Sequence, residues 1–318
     1  MIGKAGKERM HPRNRFRDGY DFGRLAHDNP TLAAFVRPNA YGDESIDYAN
    51  PKAVKALNQA LLKQAYGLKV WDIPPGYLCP PIPGRSDYVH YLADLLAGSG
   101  GVAPHGSSVA VLDIGMGANC IYPLIGSSEY GWRFVGSETD PVALRWAMKI
   151  VAENPSVQGL IEGRLQPSAT DCFKGVARPG EFFDLSMCNP PFHASAAEAT
   201  EGNLRKRRNL GTNPSRARAL NFGGRSGELW CPGGEVGFVR RMIEQSLDFR
   251  DQCRWFTTLV SKSAHLPRLL QALRDAKAAD VKTIDMAQGQ KQGRILAWTF
   301  ISPARRAMPS KASTRRGR

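Results

Sequence analysis

No cysteine of this 318-residue chain lies in a Cys-x-x-Cys pair, and none of its six histidines stands four residues from another. The six cysteines, at 79, 120, 172, 188, 231 and 253, are scattered. A structural zinc site and a disulfide scaffold are therefore not expected, no metal is called for, and reduced thiols suit the cytoplasm. No run approaches the roughly 18 apolar residues of a membrane-spanning helix, and Met1 to Tyr20 is basic with no apolar core of a signal peptide. Neither a membrane partner nor secretion is expected. Acid is scarce as well: 29 Asp and Glu face 43 Lys and Arg, a formal charge of +14. That imbalance favours a polyanionic partner, because a protein that neutralises phosphates releases counterions.

The excess charge falls in three clusters. Arg13 and Arg15 belong to a basic N-terminal stretch, Arg205, Lys206, Arg207 and Arg208 lie in an Asn- and Gly-rich segment without hydrophobic period, and Arg305 to Arg318 contains no acid. They read as segments that contact a polyanionic partner, a solvated surface being the alternative. The chain divides into a basic flexible arm (1–20), an extension that binds the polyanionic partner or serves as a lid (21–97), a domain of alternating strands and helices (98–304) and a basic disordered tail (305–318).

In the extension, Asn50-Pro51 opens an amphipathic helix with Val54, Leu57, Leu61 and Leu62 on one face. The Pro-rich stretch from Trp71 to Arg85 predicts an ordered loop, with a helix beginning after it at Ser86. From Ser108 the pattern becomes short apolar runs separated by helical stretches, which predicts an α/β fold with strands near 109–114, 132–138, 158–165, 182–188, 254–260, 281–286 and 294–301. The last two pair as a hairpin.

Ligands of such sheets bind at the carboxyl ends of strands. The first run ends Asp113-Ile-Gly115-Met-Gly117, a Gly turn without the third glycine of a dinucleotide fingerprint. A carboxylate there repels a pyrophosphate but suits a cationic amino acid, which points to S-adenosylmethionine; a tight structural turn fits equally well. The second run ends at Glu138, spaced to accept both hydroxyls of a ribose. Thr170 and Asp171 follow the third run, either to hold an adenine amine or to cap a helix. The strongest signal is the fourth run, Phe183 to Cys188, leading into Asn189-Pro190-Pro191-Phe192. Two prolines stiffen the turn, fixing the Asn189 amide oxygen and the Pro190 carbonyl as acceptors for a planar amine, on whose ring Phe192 can stack. A neutral amine attacking a sulfonium methyl needs no strong base, so His193 reads as a pocket-wall residue.

At these residues the chain resembles the class I S-adenosylmethionine-dependent methyltransferases of the Asn-Pro-Pro-Phe type. His11-Pro-Arg-Asn14, Tyr41 to Asp47, Pro81 to Arg85, Asn189 to His193 and Gln292-Gly-Arg294 extend the likeness to the RlmF family, bacterial 23S rRNA adenine-N6 methyltransferases, over about residues 11–303. The resemblance implies a Rossmann-like seven-stranded sheet with a mainly helical N-terminal extension. It also implies cofactor roles for Arg85, Gly115, Glu138 and Thr170, and Asn189 at the target amine. An Arg at the end of a stiff loop can clamp a carboxylate bidentately, although Arg85 packed on Trp71 or Tyr88 is equally consistent. The substrate implied is 23S rRNA or a large-subunit assembly intermediate, met by a monomer. The motif itself also serves guanine-N2 methylation of rRNA, adenine methylation of DNA and glutamine-N5 methylation of proteins. A non-catalytic RNA-binding protein on the same fold would be expected to have lost one of Asp113, Gly115, Glu138 or Asn189.

Overall fold

The computed structural model describes residues 10–99, 101–195, 197–198, 226–288 and 291–306. Short helices α1 (Phe22–Asp28) and α2 (Pro30–Ala33) and a two-stranded hairpin, β1 (Arg37–Pro38) with β2 (Glu44–Ser45), precede the long helices α3 (Pro51–Tyr66) and α4 (Ile82–Ala97). Asn50 caps α3 through its side chain, as the sequence pattern predicts, and Gly67 ends it in the left-handed conformation. Helix α4 starts four residues before the expected Ser86. Pro83 falls in its first turn, where the missing N–H costs nothing, so Arg85 lies inside the helix and does not end a loop.

The chain then builds one seven-stranded sheet in the order β5-β4-β3-β6-β7-β9-β8. Its strands are β3 (Ala110–Ile114), β4 (Arg133–Glu138), β5 (Ile161–Leu165), β6 (Phe183–Cys188), β7 (Cys253–Val260), β8 (Asp280–Gln288) and β9 (Lys291–Thr299). Strands β3 to β7 are parallel, and β9 runs antiparallel between β7 and β8. All seven expected strands are present, with ends displaced by at most three residues. Every residue of β6 is buried, as a central strand covered on both faces requires.

Alternation along the strands feeds two apolar layers. Val111, Leu185 and Met187 enter one, together with Leu61, Leu62, Ile82, Val89 and Leu92 of the N-terminal helices. Leu112, Ile114 and Cys188 enter the other, against Val239, Met242 and Ile243 of the helix Gly234–Ser246. The extension therefore shares a continuous core with one face of the sheet.

Residues 10–20, expected as part of a flexible arm, are packed instead. His11, Asn14 and Phe16 are buried, and Asp87 of α4 accepts from the His11 backbone and from the Asn14 side chain. Arg13 bonds Asp94, the His90 carbonyl and Tyr130, and Arg15 pairs with Glu129 of α5 (Ile121–Tyr130). Acids on the domain surface capture these cations, so both arginines anchor the segment. Arg205, Lys206, Arg207, Arg208 and residues 307–318 lie outside the described residues.

Because β3 sits between β4 and β6 while the chain runs outward to β5 and then returns, a crevice opens at the carboxyl ends of β3, β4 and β6. Close packing sets its floor. A Cβ on Gly136 would collide with Sδ of buried Met116 and fall 3.1 Å from its Cγ. Gly136→Ala will therefore destabilise the protein by about 1–3 kcal/mol in urea unfolding and disturb the floor of the crevice, since Met116 has to be displaced from between the two turn glycines.

Candidate active site

The register aligns the strand ends. Ile114 of β3 pairs with Ser137 of β4 and with Cys188 of β6, so the next residues, Gly115, Glu138 and Asn189, emerge side by side. Gly115 and Gly117 have φ of +75° and +66°, conformations that side chains disfavour, and they fold the turn back over β4. Gly115 and Met116 donate to the Ser137 carbonyl, and Gly117 N–H donates to Glu138 Oε2 at 3.0 Å. Glu138 Oε1 accepts from the backbone of Thr139 and Asp140. Its carboxyl is nonetheless raised above the usual range, because burial outweighs these donors.

A cavity of about 700 Å³ occupies this crevice. Arg85, Gly115, Gly117, Glu138, Thr170, Asp171 and Asn189 all line it. The sequence expectation thus brings seven residues from five separated segments into one wall. Three other expected residues stand behind or beside it. Asp113 is fully buried, Pro190 is buried, and half-buried Phe192 lies next to the lining residue Pro191.

Two groups here have unusual electrostatics. Neither carboxylate oxygen of Asp113 has a hydrogen-bond partner, and burial, with Glu138 nearby, pushes its pKa up to about 8 despite Arg85. The Asn189 amide oxygen is also buried without a partner. Arg85 holds one nitrogen 2.8 Å from the Tyr122 hydroxyl and stacks on that ring, not on Trp71 or Tyr88.

The Pro-rich loop is ordered and forms another wall. Trp71 donates to the Asn119 carbonyl, Tyr77 donates to Asp140 at 2.6 Å, and Tyr77, Leu78 and Pro80 line the cavity. The stretch after residue 225 completes it: Glu228 accepts from Leu78 N–H, and Glu228, Trp230, Phe238 and Arg241 are in the lining. Sequence reasoning missed these last four. Glu228 and Trp230 follow the basic segment in a short helix and a single bridge that carry no period to read, whereas Phe238 and Arg241 sit on the helix Gly234–Ser246, whose apolar face packs on the sheet and gives no sign that these two reach the cavity. The backbone of His193 bridges to Trp230, through His193 N–H to the Leu229 carbonyl and Cys231 N–H to the His193 carbonyl, which places this stretch beside the Asn-Pro-Pro-Phe turn.

A glycine cradle, an acid at the end of the neighbouring strand, an arginine, and unpartnered carboxylate and amide oxygens fit S-adenosylmethionine and an amine acceptor. Comparison with known proteins agrees with the geometry. A family model described as RNA methyltransferase matches residues 4–302. The chain belongs to that family. It is 56% identical over 314 residues to the ribosomal RNA large subunit methyltransferase F of Methylobacillus flagellatus, covering 94% of each chain. The protein of the same name from Pectobacterium carotovorum is 54% identical, with 94% of this chain and 96% of the relative covered. Among solved structures, the catalytic domain of human METTL16 bound to a MAT2A 3′UTR hairpin superposes with a TM-score of 0.79 at 33% identity, over 93% of this chain and 97% of that one. The N-terminal domain of human METTL16 in complex with SAH gives 0.72 at 30% identity, over 92% and 99%. The α/β class I methyltransferase fold and S-adenosylmethionine as methyl donor follow for this family member. Among the described residues no helix is long and apolar enough to cross a membrane.

Proposed function

We propose that this chain transfers a methyl group from S-adenosylmethionine to the exocyclic N6 of an adenine in 23S rRNA of the large ribosomal subunit. It acts as a cytoplasmic monomer on the RNA or on an assembly intermediate. The observation that carries the chemistry is the buried, unpartnered Asn189 oxygen in the same cavity wall as the Gly turn and Glu138. The target is supported by the large-subunit rRNA named for the relatives over more than nine-tenths of the chain.

When bound, S-adenosylmethionine supplies an electrophilic methyl on a sulfonium, leaving S-adenosylhomocysteine when the new N–C bond forms as the S–C bond breaks. Glu138 would accept from its ribose hydroxyls, Arg85 would meet its carboxylate, Asp113, buried before the Gly turn, would face its amino group, and Thr170 and Asp171 would hold its adenine. Asn189 Oδ1 and the Pro190 carbonyl each accept one proton of the target N6, which turns the nitrogen lone pair out of the base plane toward the methyl. Phe192, half-exposed beside Pro191, stacks on the flipped base. Orientation and proximity supply most of the barrier reduction, and the extra proton passes to water after transfer, so no side chain has to act as a strong base.

Arg205, Lys206, Arg207 and Arg208 contact RNA phosphates in this reading. They lie between residue 198 and Ser226, after which Glu228 returns the chain to the cavity wall. Arg13 and Arg15 instead hold the N-terminal segment in place.

The test is transfer from labelled S-adenosylmethionine to RNA of cells lacking the protein, followed by nucleoside digestion. N6-methyladenosine in the large-subunit fraction is the expected product. N2-methylguanosine would overturn the target base, and label in protein alone would overturn the substrate class.

A further inference from the structure

The Trp230 indole nitrogen is buried and lacks any hydrogen-bond partner, and Trp230 lines the Asn189 cavity. An indole N–H can only donate, and burying a donor without an acceptor is unfavourable unless a ligand supplies one. The backbone bridge to His193 holds Trp230 next to the turn that presents Asn189 Oδ1, the second buried polar atom without a partner in this cavity. The site therefore offers an acceptor and, on a neighbouring strap, a donor.

We propose that Trp230 Nε1–H donates to the ring nitrogen that flanks the target amine, making Trp230 a base-positioning residue and a determinant of base choice. This inference rests on the adenine reading above. The chemistry of the bases makes the pairing selective. The N6 amine of adenine has ring acceptors on both sides, N1 and N7, so one donor beside the amine acceptors is satisfied from either side. The N2 amine of guanine has an N1–H donor on one side, which would oppose the indole N–H, and only N3 as an acceptor on the other. Guanine can satisfy the indole only with its N3 side presented, so the N1-side orientation, which adenine accepts and guanine cannot, is where a site built to hydrogen-bond a substrate group discriminates strongly.

Trp230→Phe keeps an aromatic ring in the wall and removes only the donor. It is expected to lower kcat/KM on unmodified large-subunit rRNA about tenfold, the usual loss for one hydrogen bond, with S-adenosylhomocysteine affinity unchanged. The deciding measurement is a double-mutant cycle on an rRNA transcript whose target adenosine is replaced, by splinted ligation, with 1-deazaadenosine or 7-deazaadenosine. One of the two analogues should lower wild-type turnover and make it insensitive to Trp230→Phe. Equal effects of Trp230→Phe on adenosine and both analogues would overturn the proposal and leave Trp230 a packing residue. A loss of S-adenosylhomocysteine affinity that accounts for the fall would overturn it too, by assigning the donor to the cofactor. Wild-type enzyme that transfers no methyl to adenosine in the same assay would instead refute the parent reading.

Discussion

Asn189→Ala is expected to lower methyl transfer by about a thousandfold or more while S-adenosylhomocysteine binding stays within about twofold. The asymmetry follows from what the side chain touches. Its oxygen has no partner in the protein, so removing it breaks no native hydrogen bond, and the Gly turn, Glu138 and Arg85 stay as they are. What disappears is an acceptor that orients the amine only when the base is seated, and loss of such an oriented contact falls on the chemical step. Tyr88 shows why the turn should survive: its buried hydroxyl bonds Thr257 at 2.8 Å and accepts from Cys188 N–H, fixing the end of β6 from α4 without help from Asn189. Asn189→Asp, which keeps an acceptor oxygen, should retain part of the activity. Single-turnover transfer and calorimetric binding decide the matter. Full turnover by the alanine variant, or loss of both activities together, would refute the assigned role.

The legible part of this protein is its parallel sheet. Strands such as Phe183–Cys188 are buried on both faces, so they read as short, mainly apolar runs, here broken only by Asp184 and Ser186, whose ends are marked by Gly or Pro. The register that aligns Gly115, Glu138 and Asn189 then follows from one strand order, which is why residues 113 to 189 yield most of the cavity wall. Two kinds of feature escape. Residues 10–20 look mobile by charge, yet a few buried side chains, His11, Asn14 and Phe16, dock them, and nothing in a local pattern reveals acids at 87, 94 and 129 waiting for them. The strap with Glu228 and Trp230 is held by an isolated bridge and by single side-chain bonds, long-range contacts with no periodicity. Prolines also mislead locally: the rule that they break helices does not apply in a first turn, so the pattern puts Arg85 in a loop although α4 already holds it.

Asp113 should make both stability and cofactor affinity depend on pH, in opposite directions. Its carboxyl is fully buried, has no hydrogen-bond partner and is pushed up to about 8 from the ordinary 3.8, chiefly by burial and secondarily by Glu138. A raised carboxyl binds its proton in the folded chain at pH values where the unfolded chain has already released it. Its contribution is therefore fully present below about pH 4 and is lost progressively as pH rises to about 8, at roughly 1.4 kcal/mol for each pH step of one in that window, a decline of several kcal/mol in the cofactor-free protein. Asp113→Asn, nearly isosteric and never charged, should remove that decline and leave the variant more stable than wild type at pH 8 in denaturant titrations. Cofactor binding should move the other way. A cationic amino group set against Asp113 favours the ionised carboxylate, so wild-type affinity for S-adenosylmethionine should rise between pH 6 and 8 as the proton becomes easier to displace, whereas Asp113→Asn should bind more weakly with a flat profile over that range. The two profiles together separate the interpretations. A flat wild-type binding curve with the stability decline intact would mean that the buried carboxyl does not face the amino group. A flat stability curve would mean that Asp113 is ionised throughout and that Arg85 dominates its surroundings.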